Sequence, residues 1–272
     1  MQRKTALVTG ASHGIGKAIA LALAKAGYDI AVNYCNNRAG AEDTCAQARQ
    51  AGARAIALQA DVGNYQALTG LFQAFEAEYG AMDLMVNNAG VSEFHPLLEV
   101  TEQEWERVTR TDWKAAYFGT QMAARNMVAH QKKGVIVNIT SNHIDGCFPD
   151  ANIYAPSKAA VDTFCRNAAM ELAPHGIRVV SLAPGYTNVW ADDNPIQQVR
   201  DRIPLGRFAT PEEIAQILVF IASDHCAYMT GTRVTVDGGA LLPVVPENTF
   251  NGGSLLPLTI HETEAPHETD KN

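Results

Sequence analysis

The sequence lacks the patterns that mark several classes of protein. Its five cysteines are odd in number and show no Cys-x-x-Cys spacing, and its eight histidines show no His-x-x-x-His spacing. Neither a disulfide framework nor a metal site is therefore expected. No apolar stretch approaches the length of about 20 residues that spans a bilayer. The net charge is −8 with no basic cluster, so we expect neither nucleic acid nor an anionic membrane as a partner.

Size and the amino end suggest a single-domain cytoplasmic protein. The chain has 272 residues, of which 47% are hydrophobic, enough for the core of one large α/β domain. Residues 1–4 lead directly into an apolar run without the pattern of a signal peptide, so a reducing cytoplasm is the expected compartment. We expect one domain over 1–245 and a partly flexible C-terminal extension over 246–272.

Apolar runs and helical patterns alternate along the chain. Strands are predicted at 5–9, 29–34, 54–60, 82–87, 134–140, 177–182 and 233–236, and helices at 14–26, 39–51, 64–79, 101–131, 152–173 and 211–222. Several strands are continuously apolar, which is typical of strands covered on both faces. This alternation predicts a doubly wound parallel sheet of the Rossmann type, with ligands bound beyond the carboxyl ends of its strands.

A glycine-rich segment follows the first predicted strand and opens the first predicted helix. Its glycines are Gly10, Gly14 and Gly16, and Ser12, His13 and Ile15 lie among them. Such a segment allows a tight turn, close backbone approach to a pyrophosphate and close packing of helix on sheet. Glycines are also common in ordinary turns between a strand and a helix, so the segment alone does not identify a dinucleotide site.

Polar residues follow the later strands in an ordered series. The members are Asp61 and Val62, Asn87 to Gly90 with Asn88 and Ala89 between them, Ser141, Tyr154 and Lys158, and Pro184 and Gly185. Tyr154 and Lys158 are four residues apart, so on a helix they share one face. A neighbouring ammonium favours loss of the phenolic proton, which makes tyrosine usable as an acid or base. The alternative interpretation is a surface pair with a serine in an ordinary turn.

The ordered motifs together resemble the short-chain dehydrogenase/reductase family from about residue 4 to residue 240. The chain is similar to its glucose-dehydrogenase-like and 3-oxoacyl-carrier-protein-reductase-like branches. The resemblance implies seven parallel strands in the order 3-2-1-4-5-6-7, three helices on each face and a homotetramer assembled through the long helices. It also implies roles: Tyr154 as acid or base, Ser141 on the substrate oxygen, and Lys158 on the nicotinamide ribose.

Two positions depart from the family pattern. Where relatives use an asparagine of the long helix in a proton relay, this chain has Asp112, which either rearranges the relay or holds Lys158 charged. Where many relatives place a threonine on the nicotinamide carboxamide, this chain has Val189, and Thr187 is the candidate substitute.

The second predicted strand bears on the choice of cofactor. Relatives that prefer NAD generally end this strand with an aspartate, whereas this chain has Tyr34. Arg38 or His13 could meet a 2′-phosphate, although Arg38 could equally be a solvated residue at a helix start. NADP is slightly favoured over NAD. Asp61 and Val62 are expected to flank the adenine with either cofactor.

The segments expected to line the substrate pocket are rich in hydrogen-bonding groups. The candidate substrate residues are Glu93, His95, Asn142, His143, Asn152, Tyr186 and Trp190. Donors, acceptors and aromatic faces favour a sugar or polyol, although loop residues are often polar because they face water. Two other functions remain open: reduction of a 3-oxoacyl thioester or small ketone, and nucleotide binding by a non-catalytic regulator. A carrier protein would need a basic patch, and retention of Tyr154 and Lys158 argues against the regulator.

Overall fold

A computed structural model describes residues 3–189 and 195–242. The strands are β1 (Lys4–Val8), β2 (Tyr28–Tyr34), β3 (Ala55–Gln59), β4 (Leu84–Asn87), β5 (Val135–Ile139), β6 (Arg178–Pro184) and β7 (Arg233–Val236). The α-helices are α1 (Gly14–Lys25), α2 (Arg38–Gln50), α3 (Tyr65–Tyr79), α4 (Glu102–Thr109), α5 (Ala115–Ala129), α6 (Tyr154–Leu172) and α7 (Pro211–Ala222). Trp190 and the predicted C-terminal extension, 246–272, lie outside the described residues, so the predicted domain boundary stays a prediction.

The strands form one parallel sheet in the order β3-β2-β1-β4-β5-β6-β7. At its centre Val8 pairs with Val32 on one side and with Val86 on the other. The strand order reverses next to β1, so the loops after β1 and β4 diverge and leave a crevice at their carboxyl ends. The predicted fold class and strand order are confirmed.

Helices cover both faces of the sheet, as its buried strands require. Every residue of β2 and of β5 is buried. One face packs against α1, α2 and α7, with Ile19 and Leu218 in its core. The other packs against α3, α5 and α6, with Phe75 and Val161 in its core. The two apolar layers hold the sheet rigid, and the polar side chains lie in the loops at the edge where the strands end.

Capping boxes fix where two helices begin. The Thr101 hydroxyl accepts from the Glu104 backbone N–H, and the Glu104 carboxylate accepts from the Thr101 N–H. Thr210 and Glu213 repeat this arrangement at the start of α7. Both starts were predicted from the sequence and are confirmed.

The single helix predicted over 101–131 is wrong in one respect. A π-helical turn, Arg110–Lys114, separates α4 from α5. A π turn accommodates one extra residue and rotates the residues around it, and here it contains Asp112, which is 2% exposed. Apolar periodicity over 30 residues does not reveal a one-residue insertion, so the sequence predicted one helix.

Among the described residues, no helix is long and apolar enough to cross a membrane.

Candidate active site

The glycine-rich turn between β1 and α1 lies at the centre of the crevice. Gly10 has a φ of +62°, and a Cβ there would lie 2.9 Å from Cα of Ala89. A Cβ on Gly16 would overlap the Gly10 carbonyl oxygen and the Asn88 amide nitrogen. Glycine is therefore required at both positions by space, and at Gly10 by conformation as well.

Two asparagines, the buried Asn33 and the half-buried Asn88, fasten this turn to the neighbouring strands. The Asn88 side-chain amide donates to the carbonyls of Thr9 (2.9 Å) and Gly10 (3.2 Å). The Asn33 side-chain oxygen accepts from the Gly10 N–H at 3.2 Å, while its amide donates to Leu58 and Ala60 at 3.2 Å each. Sequence reasoning missed Asn33, whose position inside an apolar strand is the signal that could have identified it.

The residues around the turn fit a dinucleotide. His13 is the N-cap of α1 and makes no capping hydrogen bond with its side chain, so the first backbone N–H groups of the helix remain available to an anion. The glycines leave a cradle that a Cβ would fill. On the far side of the crevice, Nδ2 of Asn142 is buried and has no hydrogen-bond partner among the described residues, so it can donate to a bound oxygen.

At the adenosine end, the predicted residues differ in accessibility. Tyr34 is 6% exposed and packs into the core, so its ring is not free to meet a ribose. Arg38 is exposed at the start of α2. Asp61 accepts from the Gly63 N–H at 3.0 Å and pairs with Arg110 at 3.2 Å, and Val62 is buried beside it. Asp61 is thus tied to the same π turn that contains Asp112.

The predicted tyrosine and lysine lie together on the first two turns of α6. Tyr154 and Lys158 are both buried, and Nζ of Lys158 lies 5.5 Å from the centre of the Tyr154 ring. Nζ also donates to the Ile139 carbonyl at 3.3 Å, at the end of β5. Helix α6 and strand β5 therefore fix the ammonium next to the phenol.

Asp112 lies behind Lys158 in a buried ion pair. Oδ2 of Asp112 is 3.2 Å from Nζ of Lys158, and Oδ1 accepts from the Val91 N–H at 2.8 Å. Burial works against the ammonium, but the charges of Asp112 and Tyr154 outweigh it and raise the pKa of Lys158. Burial also raises the pKa of Asp112. We assign the ion pair at neutral pH, because both carboxylate oxygens face donors.

Ser141 follows β5 and caps the short 3₁₀ turn Asn142–Ile144. Its Oγ lies 3.0 Å from Nδ1 of His143 and accepts from the His143 backbone N–H at 3.3 Å. The His143 ring stacks on Phe148, with centroids 3.7 Å apart, and lies edge-on to Tyr154 at 5.3 Å. Burial lowers the pKa of His143 to about 4, so the ring is neutral at physiological pH.

These groups line one cavity at the carboxyl ends of β4, β5 and β6. The predicted residues in its wall are Ile15, Asn88, Gly90, Ser141, Asn142, His143, Tyr154, Lys158, Pro184, Gly185, Tyr186 and Thr187. Phe94, Phe148, Ser92 and Val189 also line it and were not chosen from the sequence.

Three predicted substrate residues do not line this cavity. Glu93 pairs with Arg107, His95 lies between the carboxylates of Glu93 (3.8 Å) and Glu104 (3.4 Å), and Asn152 donates to the His95 carbonyl at 3.1 Å. Successive side chains of an extended segment point to opposite sides, so Ser92 and Phe94 face the cavity while Glu93 and His95 face away. This alternation is the signal in the sequence that could have distinguished the residues that line the cavity from those that do not.

The segment after β6 places both Thr187 and Val189 in the cavity wall. The Thr187 hydroxyl donates to the Gly185 carbonyl at 3.1 Å, so it stabilises its own loop in this structure. Val189 lies over the glycine-rich turn, 3.4 Å from where a Cβ on Gly14 would be. Among the described residues, no group of three or more His, Cys, Asp or Glu side chains could hold a metal ion.

Comparison with known proteins relates nearly all of this architecture to oxidoreductases. The family model described as enoyl-(acyl carrier protein) reductase matches residues 10–240. A 3-oxoacyl-(acyl-carrier-protein) reductase of Staphylococcus epidermidis is 38% identical over 243 residues, covering 87% of this chain and 98% of that protein.

Two further relatives bear other names. An L-rhamnose 1-dehydrogenase (NAD(P)(+)) of Sphingomonas sp. is 38% identical over 245 residues, covering 88% of this chain and 96% of that protein. The crystal structure of an acetoin dehydrogenase of Salmonella typhimurium superposes with a TM-score of 0.85 at 31% identity, covering 91% of this chain and 99% of that one. The relatives share a fold and a type of reaction but differ in substrate.

Proposed function

Because this chain belongs to the short-chain dehydrogenase/reductase family, we propose that it interconverts a secondary alcohol of a sugar or polyol and the corresponding carbonyl compound. Membership makes it an NAD(P)-dependent oxidoreductase of CH–OH groups, which confirms the predicted family and enzyme class. The regulator alternative is therefore set aside. The substrate class is the finer proposal, and the composition of the cavity wall supports it.

The cavity wall offers both hydrogen-bonding groups and aromatic faces. Ser92, Asn142 and His143 contribute polar atoms, and Phe94 and Phe148 contribute rings. A polyhydroxylated substrate uses donors and acceptors for its hydroxyls and a ring for its C–H face. Most of the wall's area is apolar, and the sugar or polyol proposal rests on the presence of these three polar side chains together with the two rings.

Each catalytic residue acts at a defined atom. Tyr154 takes the hydroxyl proton during oxidation and returns it during reduction. Ser141 donates a hydrogen bond to the same oxygen as negative charge develops there. Lys158, held by Asp112, places its positive charge beside the phenol and would also hold the nicotinamide ribose. A nicotinamide cofactor bound in this crevice would supply the hydride acceptor for oxidation of the carbinol carbon and the hydride donor for reduction of the carbonyl carbon.

We further propose NADP as the preferred cofactor, with NAD also accepted. Strand β2 ends without a carboxylate that would repel a 2′-phosphate, and Arg38 is an exposed cation at the start of α2. The Arg38 side chain makes no hydrogen bond or ion pair within the described part of the chain. Arg38→Ala should lower kcat/KM with NADP by about fivefold and leave that with NAD unchanged, since an exposed charge contributes about 1 kcal/mol.

Lys25→Ala is the matched control for Arg38→Ala, because it removes one exposed positive charge from the far end of α1. Steady-state kinetics with both cofactors test the pair. Equal losses of kcat/KM with NADP and with NAD in Arg38→Ala would show that Arg38 does not bind the 2′-phosphate.

The second candidate function is reduction of a 3-oxoacyl thioester or a small ketone, favoured by the names of two relatives. One assay distinguishes the two candidate functions. It follows the absorbance of the reduced cofactor with aldoses, polyols, acetoin and a 3-oxoacyl thioester as substrates. We expect kcat/KM for one aldose or polyol to exceed that for every other class by at least about tenfold. A preference of that size for the thioester or acetoin would reject the sugar or polyol proposal.

We also propose a homotetramer. A groove between α5 and α6 is lined by apolar and aromatic groups, among them Tyr117, Ala124, Val128, Phe164 and Leu172. Val128 is 41% exposed and Tyr117 is 37% exposed, although both belong to α5, which packs on the sheet. An apolar groove of this kind is typical of an interface between subunits.

A further inference from the structure

The contact between Ser141 and His143 has a role that the proposed mechanism leaves unassigned. Oγ of Ser141 lies 3.0 Å from Nδ1 of His143, a hydrogen bond in which either atom could carry the proton. The direction of this bond decides what Ser141 can offer to the substrate.

Counting the hydroxyl's bonding sites leaves two arrangements. A serine hydroxyl has one proton to donate and two lone pairs to accept with. The backbone N–H of His143 occupies one lone pair, at 3.3 Å. If Nδ1 donates, it fills the second lone pair and leaves the Ser141 proton for the cavity. If Nδ1 accepts, it consumes that proton and leaves only a lone pair for the cavity.

The surroundings of the ring hold His143 in one position and in one charge state. Phe148 stacks against the His143 ring with an interplanar angle of 18°. Phe94 also stacks against the His143 ring, with 5.7 Å between the ring centroids. Tyr154 meets the ring at 90°. Because burial lowers the pKa of His143 to about 4, the ring stays neutral over the working pH range and Nδ1 is either a donor or an acceptor, not both.

We propose that neutral His143 carries its proton on Nδ1 and donates it to Oγ of Ser141, which makes Ser141 an obligate hydrogen-bond donor to the substrate oxygen. The inference rests on the proposed function of the site as an alcohol and carbonyl oxidoreductase. In both reaction directions the substrate oxygen gains negative charge on the way to the transition state and needs a donor. A Ser141 lone pair would repel that charge. His143 is thus a positioning residue that acts through Ser141.

The tautomer can be measured without any substrate. In protein labelled with ¹⁵N-histidine, the imidazole nitrogens are assigned by comparing the wild type with His143→Asn, since the chain has eight histidines. We expect Nδ1 of His143 to show the shift of a protonated nitrogen and Nε2 that of an unprotonated one. An unprotonated Nδ1 would overturn the proposal.

Kinetics then test whether the bond acts through Ser141. We expect His143→Leu to lower kcat by about 10- to 100-fold, because Ser141 is no longer held as a donor. The same substitution in a Ser141→Ala background should change kcat by less than about twofold. His143→Asn, whose side-chain amide can also donate to Oγ, should recover part of the loss. Cofactor binding in each variant reports whether the fold is intact.

The two measurements separate this inference from the function on which it rests. Equal losses in kcat from His143→Leu with and without Ser141 would mean that His143 does not act through Ser141, and would overturn the proposal. A protonated Nδ1 in a protein that turns over no aldose, polyol or ketone would reject the proposed function and leave the assignment of the hydrogen bond intact.

Discussion

Asp112 is the residue at which this site departs furthest from an ordinary arrangement. Its carboxylate faces the Lys158 ammonium through one oxygen and the Val91 N–H through the other, and its side chain is fully buried. A buried ammonium loses most of its solvation, so the charge on Lys158 depends on this carboxylate. The ion pair therefore links a π turn of one helix to the acid–base chemistry on another.

Replacing Asp112 by asparagine removes that charge and nearly preserves the shape. With Asp112→Asn, burial acts on Lys158 without the opposing carboxylate, so the pKa of Lys158 falls. Lys158 then loses its proton at a lower pH. We expect the alkaline limb of the kcat–pH profile to move to lower pH, measured by steady-state kinetics across the pH range.

Asp162→Asn is the control. Asp162, on α6, is also a buried carboxylate, but it pairs with Arg166 and Arg233 and not with Lys158. Both substitutions remove a buried carboxylate from an ion pair and should lower Tm. Only Asp112→Asn should move the pH profile. Superimposable profiles for Asp112→Asn and the wild type would mean that Asp112 is a purely structural residue.

At the scale of elements, the close packing of the β1–α1 turn is expected to affect both stability and cofactor binding. A Cβ on Gly16 would displace the Gly10 carbonyl or the Asn88 amide, which together fasten the turn to β4. We expect Gly16→Ala to weaken cofactor binding by at least about tenfold and to lower stability, because overpacking a tight contact costs about 1–3 kcal/mol. Titration of the cofactor and urea unfolding measure the two effects.

Gly70→Ala gives the matched control within a helix. Gly70 lies in α3 with nothing within 4 Å of where its Cβ would be. Alanine should therefore stabilise the protein by about 0.5–1 kcal/mol and leave cofactor binding unchanged. If Gly16→Ala behaved like Gly70→Ala, the close packing at Gly16 would have no functional role.

The order of elements could be predicted because each strand is an apolar run and each helix has its own period. The same pattern placed Ser141, Tyr154 and Lys158 at one edge of the sheet, since parallel strands bring their carboxyl ends together. The π turn could not be predicted, because the apolar residues of this stretch do not mark where a single extra residue is inserted. Nor could the burial of Tyr34, because the sequence shows that a strand ends there and not which way its last side chain points.

The substrate residues were harder to predict for a related reason. Loops are polar whether their side chains face a ligand or water. Glu93 pairs with Arg107 and His95 lies 3.4 Å from Glu104, both outside the cavity, whereas Phe94 between them faces the catalytic tyrosine with centroids 5.6 Å apart. Polarity alone therefore selected two residues of this alternating segment that do not line the cavity.

For the whole molecule, the groove between α5 and α6 bears on assembly. We expect light scattering to give the mass of a tetramer, and Val128→Glu to reduce it to that of smaller species, because a carboxylate would be buried in the interface without a partner. Leu98→Glu is the control: Leu98 is 98% exposed, in the loop before α4, and its replacement should leave the mass unchanged. A wild-type monomer at micromolar concentration would contradict the proposed assembly.

The most direct test of the whole account is the turnover of Tyr154→Phe with the best aldose or polyol, measured together with its affinity for the cofactor. Removing the phenolic hydroxyl takes away the acid–base group, so kcat should fall by about 10²- to 10⁴-fold. The cofactor Kd should stay within about twofold, because the fold and Lys158 remain. Tyr228→Phe, at a fully exposed tyrosine, should match the wild type in both. Turnover by Tyr154→Phe within about tenfold of the wild type would contradict the assignment of Tyr154 as the acid and base.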